Sequence, residues 1–503
     1  MSYSTAQDSR GFQLPLGVLG MLLTLVIPAT ALAQEQAPAQ APDTKAGVVQ
    51  ESVVAPAPST LTPEQASKIE QAFQEARLAS QKVELLEKQI AAQAKAPSGA
   101  SADEKGFAIR SADGAYALKF HSLLQIDSRW FLKNAALSDK SDTFLIRRFR
   151  PAMDGTLLGI VNFKFTPDFA GGSAAVFDAF ADIGPFPWLH LIVGKFKSPL
   201  GLERLQSDAD LAILERALDQ NLTPQRDIGA ALWGEILGGF VTYHAGIYNG
   251  NVDGTNTDVD SNHAKDFVGR LLVQPFKLEG LSFAGDLGVH FAASTGNRLG
   301  LTSATQLPSY KSGGQNTIFA YNTSSGDLKT PFAHLRQTRL NPGLFYYYGP
   351  LGVLGEFVWS KQGIQMGNTI TSLKHKAAHA TASFVIGGRN GYNGATPNQN
   401  LDLKKGTWGA VEIAARWNYL KMDGATFGDF ADATVPVFAD PTKYVSKAQG
   451  FAGGVNYLAS RAVKLAVDFE QTRFTGGQLA ADKKTVVNRT TENVIIGRLQ
   501  LNF

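Results

Sequence analysis

The 503-residue chain contains no cysteine. That excludes disulfides, thiolate metal sites and a cysteine nucleophile, and it suits an exported protein that must not cross-link in an oxidising compartment. Charge of one dominant sign is also missing: Lys and Arg number 47 against 44 Asp and Glu, a net charge of +3. Nucleic-acid binding requires a clustered basic footprint and is set aside. Histidine is scarce, at eight residues. Two of them, His375 and His379, are four apart, which on a strand separates them by about 13 Å, too far to share a metal. The sequence has no GxSxG, Walker or HExxH pattern, so it gives no reason to expect an enzyme or a cofactor.

Long apolar runs are nearly absent too. The single example, LPLGVLGMLLTLVIPATALA at 14–33, follows Arg10 and ends in Ala31-Leu32-Ala33. The small-x-small ending predicts a cleaved export signal over 1–33; the competing reading is a transmembrane anchor. With no second apolar helix, a membrane protein has one remaining solution, a closed β-barrel that satisfies every backbone polar group internally.

After the signal, 34–60 is rich in Ala, Gln and Pro without periodicity and reads as a linker. A helix is expected over 61–96. Thr62 serves as N-cap, Pro63 takes the first helical position and Gln65 completes a capping-box spacing. Ile69, Ala72, Ala76, Ala79, Val83, Leu86 and Ile90 form a heptad seam. The seam fits either a short periplasmic coiled coil or a lone solvated helix.

From Tyr116 onward the period becomes two. Leu281, Phe283, Leu287, Val289 and Phe291 alternate with Ser282, Asp286 and His290. Val411, Ile413 and Trp417 alternate with Glu412 and Arg416. Val463, Leu465, Val467 and Phe469 alternate with Lys464, Asp468 and Glu470. Short connections at Glu279-Gly280, Gly349-Pro350 and Ser460-Arg461 are interspersed with long polar ones at 249–264, 296–330 and 389–405. Trp130, Tyr346, Tyr347, Tyr348, Trp359 and Tyr457 offer interfacial aromatics. These features predict an all-β fold: a transmembrane antiparallel β-barrel of about sixteen strands over 106–503, preceded by the short N-terminal helix or coiled coil. The final stretch, VIIGRLQLNF, is itself an alternating strand, expected to close the barrel against the first, with Phe503 as the signal to the barrel assembly machinery.

Two segments, FLIRRFRPAMDGTL at 144–157 and LIVGKFKSPLGLERLQSDADLAILERAL at 191–218, resemble the phosphate-selective porin O and P family. Leu124-Gln125-x-Asp127 and GTWGAVEIAAR at 406–416 match it in place, and the resemblance spans 107–503. It implies a trimeric sixteen-stranded channel in the outer membrane of a Gram-negative bacterium, surrounded by outer-membrane lipid, with loops folded inward and basic side chains lining a path for small inorganic anions. Arginine suits that task because its planar fork offers fixed charge and several donors.

Carried over by position, Arg147 and Arg148 match the family's Arg pair, and Lys195 and Arg204 fall in the matched strand and loop. The face assignment adds Arg129, Arg270 and Arg416 as anion contacts, beside Lys119, Lys164, Lys464 and Arg498. It also turns Asp127, Asp168, Asp286, Glu412, Asp468 and Glu470 inward. The chain departs from the family where a further arginine row is expected: the loop after the ninth strand, from Ser294 onward, offers a single arginine, Arg298, with Lys311, and Leu123 replaces a basic residue. A lumen of mixed sign leaves open a channel for anions such as phosphate or polyphosphate, a general weakly selective porin, or a barrel that seats a periplasmic cell-wall-binding or adhesion helix. One metal constellation merits naming. Asn249, Asn251, Asp253 and Asp260 approximate an EF-hand spacing, but the twelfth position is Asp and the segment joins strands, so a solvated loop is the default.

Overall fold

The computed structural model describes residues 99–503, except 105, 133–140, 259, 261–262, 279–280, 282–283, 324–329, 429–434 and 483. The signal, the linker and the 61–96 helix lie outside the described residues.

The first strands are β1 (Ala117–Phe131), β2 (Thr143–Leu157), β3 (Val161–Asp168), β4 (Ala175–Phe186) and β5 (Leu189–Phe196). After a long connection come β6 (Asp227–Ile236), β7 (Val241–Tyr248), β8 (Asp266–Val273) and β9 (Asp286–Leu299). The circuit continues through β10 (Phe332–Tyr348), β11 (Leu351–Met366), β12 (Thr369–Ile386) and β13 (Ala410–Lys421). It ends with β14 (Val445–Leu458), β15 (Val463–Leu479) and β16 (Glu492–Asn502).

Each strand pairs antiparallel with the next, and β16 returns to β1, with Val494 opposite Phe131 and Asn502 opposite Leu123. Beyond the last strand residue, Phe503 and Ser122 exchange backbone hydrogen bonds. The closed sixteen-strand barrel has no free edge, which is what lets strands cross a membrane. A small hairpin, Gly99–Asp103 with Gly106–Arg110, adds to the start of β1.

The two faces carry opposite chemistry. On β15, Val463, Leu465, Val467 and Phe469 are exposed outward, while Lys464, Ala466, Asp468 and Glu470 are buried inside. A soluble sandwich would bury the apolar set; here it is turned to lipid. Trp130 and Phe144 meet edge to face on the outside, their centroids 5.8 Å apart.

Several expectations are corrected. Tyr347 does not join its neighbours at the lipid interface: the period of two turns it inward, where it packs near Phe345, Leu202 and Tyr392. β9 begins at Asp286 and not at Leu281, because turn bonds from Leu281 to Leu278 and from Ala284 to Leu281 come first, followed by Gly285 at φ +93°. The long connection 387–409 lies at the same end as Gly349-Pro350 and Ser460-Arg461, the end of mostly short turns, where the connection around 279–280 also runs longer, from 274 to 285. The 387–409 segment is ordered by its own two-rung hairpin, Gly388–Arg389 with Thr396–Pro397. Conversely, the long-loop end contains a two-residue turn, Gly367-Asn368, between β11 and β12.

Candidate functional site

The loop between β5 and β6, residues 197–226, does not stand in solvent. Leu200, Leu202, Leu211, Ile213, Leu214, Leu218 and Leu222 are all fully or nearly buried. Apolar residues in a connection would be a liability at a surface; inside the barrel they fill it. From β5 and β6 the loop crosses the lumen to the opposite wall. Lys464 donates to the Ala209 carbonyl at 2.9 Å, Gln500 to the same carbonyl at 3.0 Å, and Asn456 to the Ala212 carbonyl at 2.8 Å. The Leu214 N–H donates to Asp468 at 2.5 Å. Orphan backbone groups of the irregular loop are thereby satisfied by wall side chains.

Acids of the loop bind arginines of the wall. Glu215 accepts Arg147 Nε at 2.7 Å and its Nη2 at 2.9 Å, a two-point fork, and Arg129 at 2.7 Å. Arg498 lies at 3.3 Å from the same carboxylate and forks onto Asp127 at 2.6 and 2.8 Å. Asp208 receives Arg216 at 2.9 Å, Arg148 at 3.3 Å and Arg150, whose Nε holds Asp168 at 2.7 Å. Glu203 takes Arg416, which also donates to the Glu215 carbonyl at 2.6 Å. Burial alone would push the Glu215 and Asp208 carboxyls up, but the guanidinium charges around each hold both well below the usual carboxylate range.

A strand should send Arg147 and Arg148 to opposite faces. A β-bulge prevents this. Gln125 pairs with Arg148, and the next residue, Ile126, pairs with Ile146, so Arg147 is the extra residue. Phe144, Ile146 and Phe149 remain on the lipid side, while Arg147, Arg148 and Arg150 all reach into the lumen.

The loop's opening turn is held by a different device. Glu356 on β11 accepts the Leu202 N–H at 2.6 Å, the Glu203 N–H at 2.9 Å, Gln220 at 2.7 Å and Asn341 at 2.8 Å. Beside it, His379 on β12 meets Asp219 at 2.9 Å. Asp219, Glu356 and His379 are close enough to be compared with a metal site. However, each oxygen of Glu356 already receives two protein donors, so the cluster acts as a latch for the loop. Sequence reasoning missed it because its members lie in three separate elements.

Four inward cations have no carboxylate partner among the described residues. Lys197 donates to the carbonyls of Leu205 and Gln206 at 3.2 and 2.6 Å. Arg204 donates to the Gln220 carbonyl at 2.6 Å, and its Nε is buried without a partner. Lys464 has the loop carbonyls already named. Arg270 donates its Nε to His290 Nδ1 at 3.1 Å, which assigns the other ring nitrogen as the donor to Asn341 at 2.9 Å. Burial and the nearby Arg216 charge push the Arg204 pKa down to about 9. Burial, Arg226 and Arg216 likewise push the Lys197 ammonium well below its usual range.

The remaining expected residues are dispersed. Lys195 pairs with Asp258 of the β7–β8 connection. Asp253 faces Arg339 at 2.6 Å, Asp260 faces Lys265 at 2.5 Å, and the Asn251 side chain bonds the carbonyls of Arg226 and Thr257. Asn249 uses its backbone N–H on the Ile228 carbonyl. The structure thus commits Asn251, Asp253 and Asp260 to separate partners.

Among solved structures, the chain is similar to OmpT of Vibrio cholerae, at 12% identity and TM-score 0.46, covering 77% of this chain and 98% of that one. It is also similar to the channel DcaP of Acinetobacter baumannii, at 10% identity and TM-score 0.47, covering 78% and 99%. An anion-selective porin from Comamonas acidovorans is similar at 11% identity and TM-score 0.47, covering 77% and 100%. No curated protein matches the sequence. The family model for phosphate-selective porin O and P matches residues 119–503, the whole circuit from β1 to the C-terminus. The chain belongs to that family and is an outer-membrane porin.

Proposed function

We propose that the barrel conducts small inorganic anions, phosphate or polyphosphate among them, working as a homotrimer with its short-turn end and N-terminal helix in the periplasm. One observation carries the reading: Lys197, Arg204, Lys464 and Arg270 are inward cations that, among the described residues, donate to carbonyls or an imidazole and not to carboxylates. A buried cation whose direct partners are neutral gains from an approaching anion, and carbonyl-held ammonium and guanidinium groups keep their positions while it passes. The family name and the anion-selective relative from Comamonas acidovorans agree with this reading.

A second reading, a general weakly selective porin, rests on the neutralisation of Arg129, Arg147, Arg148, Arg416 and Arg498 by Glu215, Asp208, Glu203 and Asp127. Reversal potentials in planar bilayers under a KCl gradient separate the two. An anion-directed potential that falls in Lys197→Gln and Arg270→Gln, with current blocked by millimolar phosphate, supports the first. A potential near zero that neither substitution moves supports the second.

A further inference from the structure

A row of lysines crosses the outside of the barrel near its long-loop end. Lys361 on β11 pairs across the strands with Lys374 on β12; Lys376 on β12 pairs with Lys421 on β13; Lys421 in turn pairs with Lys447 on β14. All lie on the outward-facing period, and Lys361, Lys374, Lys376 and Lys421 are exposed. Directly opposed side chains on neighbouring strands sit about 5 Å apart at Cβ, and like charges so placed oppose folding.

Among the described residues, strands β10 to β15 place no acid on that outer surface. The acids of β10 to β15 are Glu356, Glu412, Asp468 and Glu470, and each is buried on the inner face. Asp423 stands next to the row, but its carboxylate accepts the backbone N–H groups of Lys374 at 2.8 Å and Ala425 at 3.0 Å. None of the five lysine ammoniums has an acid partner among the described residues.

The level of the row identifies what it meets. Trp359 lies level with Lys376, its cross-strand partner, and one outward position waistward of Lys361; Tyr419, one outward position waistward of Lys421, stacks on Trp417 with centroids 6.0 Å apart. Aromatic side chains of this kind mark the boundary between hydrocarbon and headgroups. Lysines one step beyond them reach into the headgroup layer, where long stems keep the charge at the interface. We propose that this row, β11 to β14, is a docking surface for a membrane lipid with a phosphorylated headgroup, whose phosphates bridge the opposed lysine pairs. The occupant is a lipid and not a free anion, because the site is a convex outer wall bordered by apolar and aromatic side chains that acyl chains would cover. The inference rests on the outer-membrane setting but not on ion selectivity.

The test uses the full-length assembled protein in detergent and the triple variant Lys374→Gln/Lys376→Gln/Lys421→Gln. Native mass spectrometry and thermal midpoints are followed on titration with diphosphorylated lipid A, with phosphatidylcholine and with inorganic phosphate. Expected is retention of lipid A by the parent, a raised midpoint, and at least a tenfold weaker response in the variant. Equal responses of parent and variant overturn the proposal, as does equal binding of phosphatidylcholine. Protection of these lysines from amine labelling by inorganic phosphate alone also overturns it, as does a variant that no longer assembles, which would make the row a subunit contact. KCl conductance of the variant is read in parallel. Its retention separates failure of the lipid proposal from failure of the channel reading.

Discussion

Arg147 and Arg148 are consecutive on β2, yet both point into the lumen, one forked onto Glu215 and the other beside Asp208. The bulge between them and β1 thus makes one dipeptide grip the inserted loop at two acids seven residues apart. Two of the residues expected to contact the permeant ion serve as fasteners for the element that narrows its path.

The first prediction concerns that fastening. Arg147→Ala removes a charged two-point contact worth about 1.5–3 kcal/mol, while Arg129 and Arg498 still hold Glu215. The expected result is a lower thermal midpoint and a larger, noisier single-channel conductance, measured in planar bilayers. Unchanged conductance would mean that the loop does not move when released.

Acid should leave the loop seated over most of the carboxylate range. Glu215 and Asp208 are held well below their ordinary values by the surrounding arginines. A depressed folded pKa gives stability that is complete above the unfolded value and is lost as pH falls through the folded one. Conductance recorded from pH 7 down to about 4.5 should show no opening step. Loop release is expected only below that, where these acids take up protons.

Alkali should act earlier than arginine and lysine ordinarily allow. With the Arg204 pKa at about 9 and Lys197 pushed well below its usual range, anion preference should fade as pH nears 9. The check is the reversal potential at neutral pH and at about 9.5. A potential that holds steady between them removes these two groups from the selectivity mechanism.

Glu356→Gln is expected to destabilise the chain by about 1–3 kcal/mol, because an amide group cannot accept at both ends from the four donors now facing the carboxylate. Glu356→Ala should cost at least as much. Thermal unfolding in one detergent gives the comparison, and a midpoint above that of the parent would refute the latch.

Much of the wall was legible because period two is a local property. The apolar neighbours of Arg416, Lys464 and Arg498 predict that all three point inward, and they lie inward. The family resemblance rested on ordered motifs along the chain and holds from 119 to 503. The seat of the loop was not legible, since its bonds join residues far apart: Arg129 to Glu215 spans 86 positions, and Arg498 to Asp127 spans 371. The bulge at Arg147 leaves no signature in the alternation of a stretch as polar as Arg-Arg-Phe-Arg. Connection length failed as a guide to sidedness at 387–409, because that segment contains a small hairpin of its own and was lengthened without changing ends. The run Tyr346-Tyr347-Tyr348 looks like one interfacial cluster, but only alternate residues of a strand share a face, and Tyr347 falls inside.

The grip on the loop also has a bearing on how the molecule is made. Arg498 and Gln500 hold Leu214 and Ala209 from β16, and β16 forms the seam with β1, whose Arg129 and Gln125 hold the same loop at Glu215 and Asp208. Strand β16 therefore finds several of its inner hydrogen-bond partners on a segment made nearly 300 residues earlier. Zipping the seam and threading the loop through the ring are thereby linked, and a cylinder sealed around an empty centre would leave Arg129 and Arg498, on the two sides of its own suture, without Glu215 and with Asp127 alone to share.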